Sequence, residues 1–168
     1  MADEQTPANV VAHFSDIEDD ANWHYPNSDE RFSFNADFSR KFALMRIGIH
    51  HERLAPGRRL SWPHAEADEE EFVFVIDGAP DLWLDGHLQR LKPGDGVGFP
   101  SGTGIAHTFI NNTSQDVRLL VVGEATRTRS RIDYPLHPKR NAELDDRYWK
   151  DKPVRKLGDH NGIPDGKT

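Results

Sequence analysis

The chain has 168 residues, of which 36% are hydrophobic and 29% are charged, and its formal net charge at pH 7 is −7. It is long enough for one domain with extended ends and a real hydrophobic core. The negative charge argues against a dominant nucleic-acid surface, which needs clustered Lys and Arg. No apolar run reaches the roughly 18 residues of a membrane helix, and the absence of cysteine excludes disulfides, thiolate metal sites and thiol nucleophiles.

The N-terminal segment predicts an arm and not a domain. MADEQTPANVVAHFSDIEDD is acidic and lacks the basic flank and apolar stretch of a secretory signal. With the absence of cysteine, this favours the cytoplasm. Residues 1–35 carry scattered aromatic side chains among acids and turn formers, and we predict that they form an irregular arm around the core.

Residues 36–128 have the pattern of a β-barrel. FALMRIGIHHERL predicts one long strand, and five shorter β-type regions follow, namely EFVFVID, DLWLDGHLQRL, GVGFP, AHTFIN and VRLLVVGEA. Gly, Pro, Asn and Asp separate these regions, and Asp85-Gly86 is a strong signal for a two-residue hairpin. Several short strands without intervening amphipathic helices predict an antiparallel sandwich or barrel.

Residues 129–168 predict a C-terminal extension without a strand. One helical turn is expected around residues 142–148. The aromatic side chains of Tyr134, Tyr148 and Trp149 indicate that the extension packs on the barrel. The basic cluster RTRSR, residues 127–131, is interpreted as a solvated strand exit.

The segment EFVFVID places a carboxylate in an apolar strand. Side chains alternate along a strand, so Glu71 shares one face with Val73 and Val75, and the opposite face is apolar as well. Two apolar faces predict that the strand is covered on both sides. A buried carboxylate needs a counter-charge or several hydrogen bonds. We therefore expect Glu71 at the lip of the barrel, beside a cation, and Phe72 and Phe74 in contact with a second subunit.

Two histidines are candidates to share that cation with Glu71. His64 and Glu66 project from the same side of an extended segment, and His107 begins the strand of AHTFIN. Two histidines and a carboxylate can hold a divalent ion and leave positions open for substrate or oxygen. We predict a metal site at His64, Glu71 and His107, with Glu66 as a candidate fourth ligand. The alternative is that these side chains only form hydrogen bonds inside the barrel.

The same residues lie in two motifs that resemble those of the cupin superfamily. The first motif is similar at Gly57, His64, Glu66, Glu71 and Gly78, with Glu66 where a second histidine is expected. The second motif is similar at Gly94, Pro100, Gly102, His107 and Asn111. One extra residue lies between Gly57 and His64, and two extra residues lie between Gly102 and His107.

The resemblance covers about residues 40–125. It implies an all-β fold, a double-stranded β-helix (cupin or jelly-roll) barrel, here with irregular N- and C-terminal arms. It also implies a homodimer and a divalent metal ion, and the second negative charge from Glu66 favours Fe²⁺, Mn²⁺ or Zn²⁺. The partner would be a small polar molecule, with no nucleic acid and no membrane. The reaction stays open, because cupins include dioxygenases, isomerases, decarboxylases, lyases, epimerases and metal-free binders.

Three further residues are candidates for the pocket. His50 and His51 are adjacent in the long strand, so one of them faces inward; the alternation leaves the choice open, and we name His51 as the pocket candidate. Trp62, beside His64, is placed to stack on a flat or sugar-like substrate. Phe109 shares the face of His107. The function is either that of a metal-dependent enzyme or that of a metabolite-binding module, with a structural oligomer as the third alternative.

Overall fold

The computed structural model describes residues 10–125 and 130–166. Over these residues it contains two short helices, α1 (Phe38–Phe42) and α2 (Pro138–Ala142), and two single 3₁₀ turns, Phe14–Asp16 and Asp145–Arg147. Its ten strands are β1 (Phe34–Asp37), β2 (Ile47–Leu54), β3 (Ala65–Glu66), β4 (Glu71–Asp77), β5 (Asp81–Leu84), β6 (His87–Arg90), β7 (Gly96–Phe99), β8 (His107–Ile110), β9 (Val117–Glu124) and β10 (Ile132–Asp133). None of the helices in the described ranges has the length and apolar character needed to cross a membrane.

Most of the strands form two antiparallel sheets. The five-stranded sheet has the order β1-β2-β9-β4-β7, and the three-stranded sheet has the order β6-β5-β8. Two isolated bridges, from Arg59 to Ile110 and from His64 to His107, add residues 59–64 to the β8 edge of the smaller sheet. β3 and β10 form a separate pair. The predicted all-β barrel is confirmed.

A hydrophobic core fills the interior of the barrel. It contains Leu54, Val73, Val75, Leu82, Leu91, Phe99, Phe109, Val117, Leu119 and Val121. Val73 and Val75 on β4 are fully buried, which agrees with the inward face expected from the alternation. Phe109 is fully buried here as well, because it lies two residues further along β8 than His107 and so deeper in the barrel. It therefore packs the core instead of lining a pocket.

The long strand predicted at residues 42–54 is shorter in the structure, because its first residue ends α1 and β2 begins only at Ile47. The side chain of Asp37 accepts a hydrogen bond from the backbone N–H of Arg40 and caps α1, which ends where Ala43 adopts a left-handed conformation with φ of 53°. β2 then begins at Ile47. β1 pairs with β2 along its full length, so the last residues of the predicted arm and the first of the predicted barrel belong to one strand.

The outer face of the five-stranded sheet is apolar around β4. Phe72, Phe74 and Ile76 are 45%, 36% and 43% exposed. Val122 and Leu120 of β9 pair with Phe72 and Phe74 and therefore lie on the same face. We call these five residues the apolar outer face. Within the described chain only the inner face of β4 is covered, unlike the cover on both sides expected from the sequence.

The C-terminal extension packs on the three-stranded sheet. The indole Nε1 of Trp83 donates to the carbonyl of His160 at 2.9 Å. Trp149 lies in the same cluster as Trp83. The extension contains a strand that the sequence did not predict, since β10 pairs antiparallel with β3. One helical turn was expected at residues 142–148. The structure has the 3₁₀ turn Asp145–Arg147 within that range and the helix α2, which ends at its first residue.

The predicted Asp85-Gly86 hairpin is confirmed and forms a docking point for the extension. The two residues have φ of 46° and 85°, as a two-residue turn between twisted strands requires. The N–H of Gly158 donates to the carbonyl of Asp85, and the N–H of His160 donates to the carbonyl of Gly86. A Cβ atom at Gly158 would lie 2.5 Å from the carbonyl oxygen of Gly86. Only glycine fits at this contact.

Gly158→Ala should therefore destabilise the protein, because the methyl group forces the extension away from the hairpin. We expect a loss of about 1–3 kcal/mol, the usual range for overpacking, measured by thermal or urea denaturation. Gly98→Ala is the control, because an added Cβ there meets no atom within 4 Å. Equal stability of the two variants would contradict the packing described for the extension.

Candidate functional site

A pair of backbone hydrogen bonds brings the two motif histidines together. The N–H of His107 donates to the carbonyl of His64 at 2.9 Å, and the N–H of His64 donates to the carbonyl of His107 at 3.2 Å. Residues that exchange both bonds lie directly opposite each other in an antiparallel bridge, with their side chains on the same face. The two imidazole rings are 5.1 Å apart between centroids.

Glu71 completes the group from the opposite sheet. It is the first residue of β4, and its Oε1 lies 3.3 Å from Nε2 of His107. Phe99, which pairs with Glu71 across β4 and β7, stacks on the His107 ring at 3.5 Å between centroids. The stack fixes the plane of the imidazole. His107 thus contacts Glu71 and lies opposite His64, and the metal site at these three residues stays a prediction.

The hydrogen bonds of the two histidines bear on their tautomers. Nδ1 of His64 lies 2.8 Å from the carbonyl of Trp62, and Nδ1 of His107 lies 3.4 Å from the carbonyl of Ile105. A carbonyl only accepts, so Nδ1 of His64 carries a proton and its lone pair is on Nε2. Metal-binding histidines commonly donate their other ring N–H to a backbone carbonyl in this way. Nε2 of His107 is the nitrogen closer to an acceptor, the carboxylate of Glu71 at 3.3 Å. Burial, and next the charge of His107, lower the pKa of His64 to about 4, so this ring is neutral near pH 7.

The contact between His107 and Glu71 needs a proton or a cation between the two groups. Burial by itself would raise the pKa of Glu71, but the hydrogen bond and charge of His107 and the charges of His64 and His50 bring it below its ordinary value. Glu71 is therefore ionised at neutral pH. Its carboxylate can only accept, so either a proton on Nε2 of His107 or a bound cation fills the space between them.

The donor set suits a divalent ion. Two imidazole nitrogens and one carboxylate oxygen are common ligands of Zn²⁺, Fe²⁺ and Mn²⁺. Within residues 10–125 and 130–166, however, no group of three His, Asp or Glu side chains is arranged closely enough to hold an ion. The chemistry of the three residues fits a metal ion. Their side chains would have to move closer together to bind one.

Glu66 lies in a neighbouring cavity. That space is lined by Glu66, Glu69, Glu71 and His107, among others, and it does not include His64. Burial, followed by repulsion from Glu69 and Glu71, raises the pKa of Glu66 to about 8. Glu66 thus shares this cavity with Glu71 and His107 but not with His64, and its role as a fourth ligand stays a prediction.

The cavity next to His64 has a volume of about 210 Å³. Its lining combines polar and apolar side chains: Asn35, His50, Glu52, Leu60, Ser61, His64, Glu71, His107, Thr108 and Val121. None of these described lining residues is Lys or Arg.

His50, and not His51, faces this cavity. His50 and Glu52 share the inner face of β2 with Leu54 of the core. His51 lies on the outer face, where its ring stacks on Phe14 at 4.1 Å between centroids. The placement of His51 in the pocket is corrected accordingly. Glu52, which the sequence analysis did not name as a site residue, enters the site with His50.

Trp62 does not line the cavity either. Its ring is stacked between Tyr25 at 4.1 Å and His137 at 3.9 Å, and its Nε1 donates to a carboxylate oxygen of Glu30 at 2.9 Å. Residues 60–62 form a bend, so strand alternation does not apply to them. Trp62 instead joins the N-terminal arm to the C-terminal extension, and with His137 it borders a separate groove of about 480 Å³.

Comparison with known proteins identifies the domain. Residues 50–123 match the family described as the cupin domain. The chain therefore contains a cupin domain, and the resemblance drawn from the two motifs is confirmed. No curated protein sequence matches the chain.

Several crystal structures are similar to this chain. A proposed sugar phosphate isomerase from Acidithiobacillus ferrooxidans is 30% identical with a TM-score of 0.58, over 61% of this chain and 65% of its own. A cupin-superfamily sugar phosphate isomerase from Silicibacter pomeroyi is 33% identical with a TM-score of 0.57, over 61% and 64%. Both matches span less than two thirds of the solved chain. The polyketide cyclase RemF from Streptomyces resistomycificus, 20% identical with a TM-score of 0.60 over 82% and 94%, shares the fold.

Proposed function

We propose that this protein binds one divalent metal ion through His64, Glu71 and His107 and isomerises a small hydroxycarbonyl compound in the adjoining cavity. The observation that carries the proposal is the contact of the His107 imidazole with the Glu71 carboxylate at 3.3 Å, with His64 directly opposite His107. It supports a cation position that opens onto a polar cavity of about 210 Å³. A bound ion would polarise a substrate carbonyl as a Lewis acid.

Neighbouring groups hold the side chains of the proposed ligands in a fixed orientation. The carbonyl of Trp62 fixes the tautomer of His64, and the Phe99 ring fixes the plane of His107. Glu71 supplies one negative charge, which stabilises a divalent cation without neutralising it fully. These fixed contacts support binding of an ion at a defined place.

The cavity supports a small, uncharged substrate. Its volume is below the range of pockets for drug-sized ligands. Asn35, Ser61 and Thr108 offer hydrogen bonds to hydroxyl groups, while the absence of Lys and Arg from the described lining disfavours a phosphate group. The two sugar phosphate isomerases at 30% and 33% identity support isomerisation as the reaction class. We infer an unphosphorylated sugar or a similar hydroxycarbonyl compound as the substrate.

The metal site is tested by elemental mass spectrometry. Protein prepared without chelating tags should contain about one divalent ion of Fe, Mn or Zn per chain. His107→Ala should lose it, because the variant removes a ligand, whereas His87→Ala, on the exposed strand β6, should retain it. Circular dichroism checks that both variants are folded. Full occupancy in folded His107→Ala would contradict the site.

The reaction is tested by NMR on the metal-loaded protein with short and long aldoses and their phosphate esters. We expect conversion of at least one free aldose to the ketose, and slower conversion of its phosphate ester because the cavity lining lacks a counter-charge. Faster conversion of the esters would contradict the substrate class. A sugar that raises the melting temperature without being converted would contradict the isomerase and favour a binding module.

We also propose that two copies of the chain associate through the apolar outer face. Exposed apolar patches of this kind mark interaction sites in soluble proteins, and β4 is covered on one side only. Phe74→Lys should convert a dimer into a monomer, because a charge would be buried in the contact. Light scattering at micromolar concentration measures the change, and Leu88→Lys, an equally exposed apolar residue on β6, is the control. A monomeric native protein would contradict the proposal.

A further inference from the structure

Glu52 is a buried carboxyl group that the proposed metal site does not use. It lies on the inner face of β2, opposite Asn35 of β1 and Leu119 of β9. Only 6% of its surface is exposed, and it lines the same cavity of about 210 Å³ as His64, Glu71 and His107. No Lys or Arg among the described lining residues pairs with it.

The hydrogen bonds of Glu52 leave one oxygen free. Nδ2 of Asn35 donates to Oε1 of Glu52 at 2.5 Å and lies 3.1 Å from Nδ1 of His50. One amide group thus joins the carboxyl to the imidazole. The second oxygen, Oε2, is buried and has no hydrogen-bond partner within the described chain. Buried polar atoms without a partner are costly, so an atom of this kind beside a cavity is a candidate for contact with a ligand.

The surroundings of Glu52 keep it protonated. Burial raises the pKa of its carboxyl group to about 8, and the charges of Asp19 and Glu71 act in the same direction against the nearby polar groups of Ser33 and Asn35. The titratable groups that face it are Asp19 from the N-terminal arm, His50 of β2, Glu71 of β4, His64 of the bridge segment and His107 of β8. Near pH 7 the group is a neutral acid with a proton to give.

We propose that Glu52 is a catalytic residue that carries a proton between two oxygen atoms of the substrate. The inference rests on the proposed isomerase function. When an aldose becomes a ketose, one hydrogen moves between the two oxygens and one between the two carbons. Glu52 serves the first transfer: its O–H bond breaks as an O–H bond forms on the substrate carbonyl oxygen, and the electron pair stays on the carboxylate. The carboxylate then takes a proton from the neighbouring hydroxyl group.

The other carboxyl group of the cavity is unsuited to this role. Oε1 of Glu71 is occupied by the contact with His107, and Glu71 is itself a ligand of the proposed metal site. The two carboxyl groups of one cavity therefore have different surroundings, which is how enzymes give two carboxyl groups different roles. Removal of a positioned proton donor usually lowers a rate by about 10²–10⁴-fold.

The test compares metal-loaded wild type, Glu52→Gln and Glu52→Asp, with Asp77→Asn at the exposed end of β4 as the matched control. On the aldose that the wild type converts, kcat of Glu52→Gln should fall at least about a hundredfold. KM and metal content should stay unchanged, and Asp77→Asn should retain full activity. The melting temperature of Glu52→Gln should be no lower than that of the wild type, because glutamine resembles the protonated acid in shape and charge.

The pH profile separates catalysis from a structural role. For the wild type kcat should fall as the pH rises through about 8, where Glu52 loses its proton. The residual activity of Glu52→Gln should lack this decrease, while Glu52→Asp should keep it. Unchanged kcat in Glu52→Gln would overturn the role of Glu52 and leave the isomerase proposal intact. A wild type that converts none of the sugars would overturn both.

Discussion

The site depends on the two backbone hydrogen bonds that His64 and His107 exchange. These residues are distant in sequence, and the bridge is what sets them directly opposite each other on one face. It also joins residues 59–64 to the smaller sheet, so the segment that carries His64 is held as firmly as a strand. Glu71 is the first residue of β4, and its side chain points inward and so contacts His107. A loss of the bridge would separate the two motifs of the cupin domain.

The titratable side chains around this bridge have different protonation states. Glu71 is ionised beside His107, Glu66 and Glu52 are held protonated by burial, and His64 is held neutral. Each state follows from the immediate neighbours of the group, although all four lie within one small region. Such divergence is costly to stability and is found most often where a protein binds or transforms a ligand.

The sequence was sufficient for features that depend on local alternation and on spacing. The inward direction of Glu71 follows from the period of two along β4, and the barrel and the Asp85-Gly86 turn follow from the order of strands and turn residues. The choice between His50 and His51 did not follow, because it depends on how β2 is aligned with β9, which is a tertiary property. Glu52 was missed with that choice. Trp62 was misplaced because it lies in a bend, where alternation has no meaning.

The contacts of the C-terminal extension bear on the order in which the protein folds. The indole of Trp83 is satisfied by the carbonyl of His160, and the guanidinium of the buried Arg59 donates to the carbonyl of Gly162 at 2.6 Å. Both partners leave the ribosome long after the strands that they complete. During synthesis the smaller sheet therefore exposes Trp83 and an incompletely paired Arg59 until the final residues emerge. Contacts between such distant parts of a chain slow folding, and the nascent barrel stays open to chaperones or to association through its uncovered sheet until then.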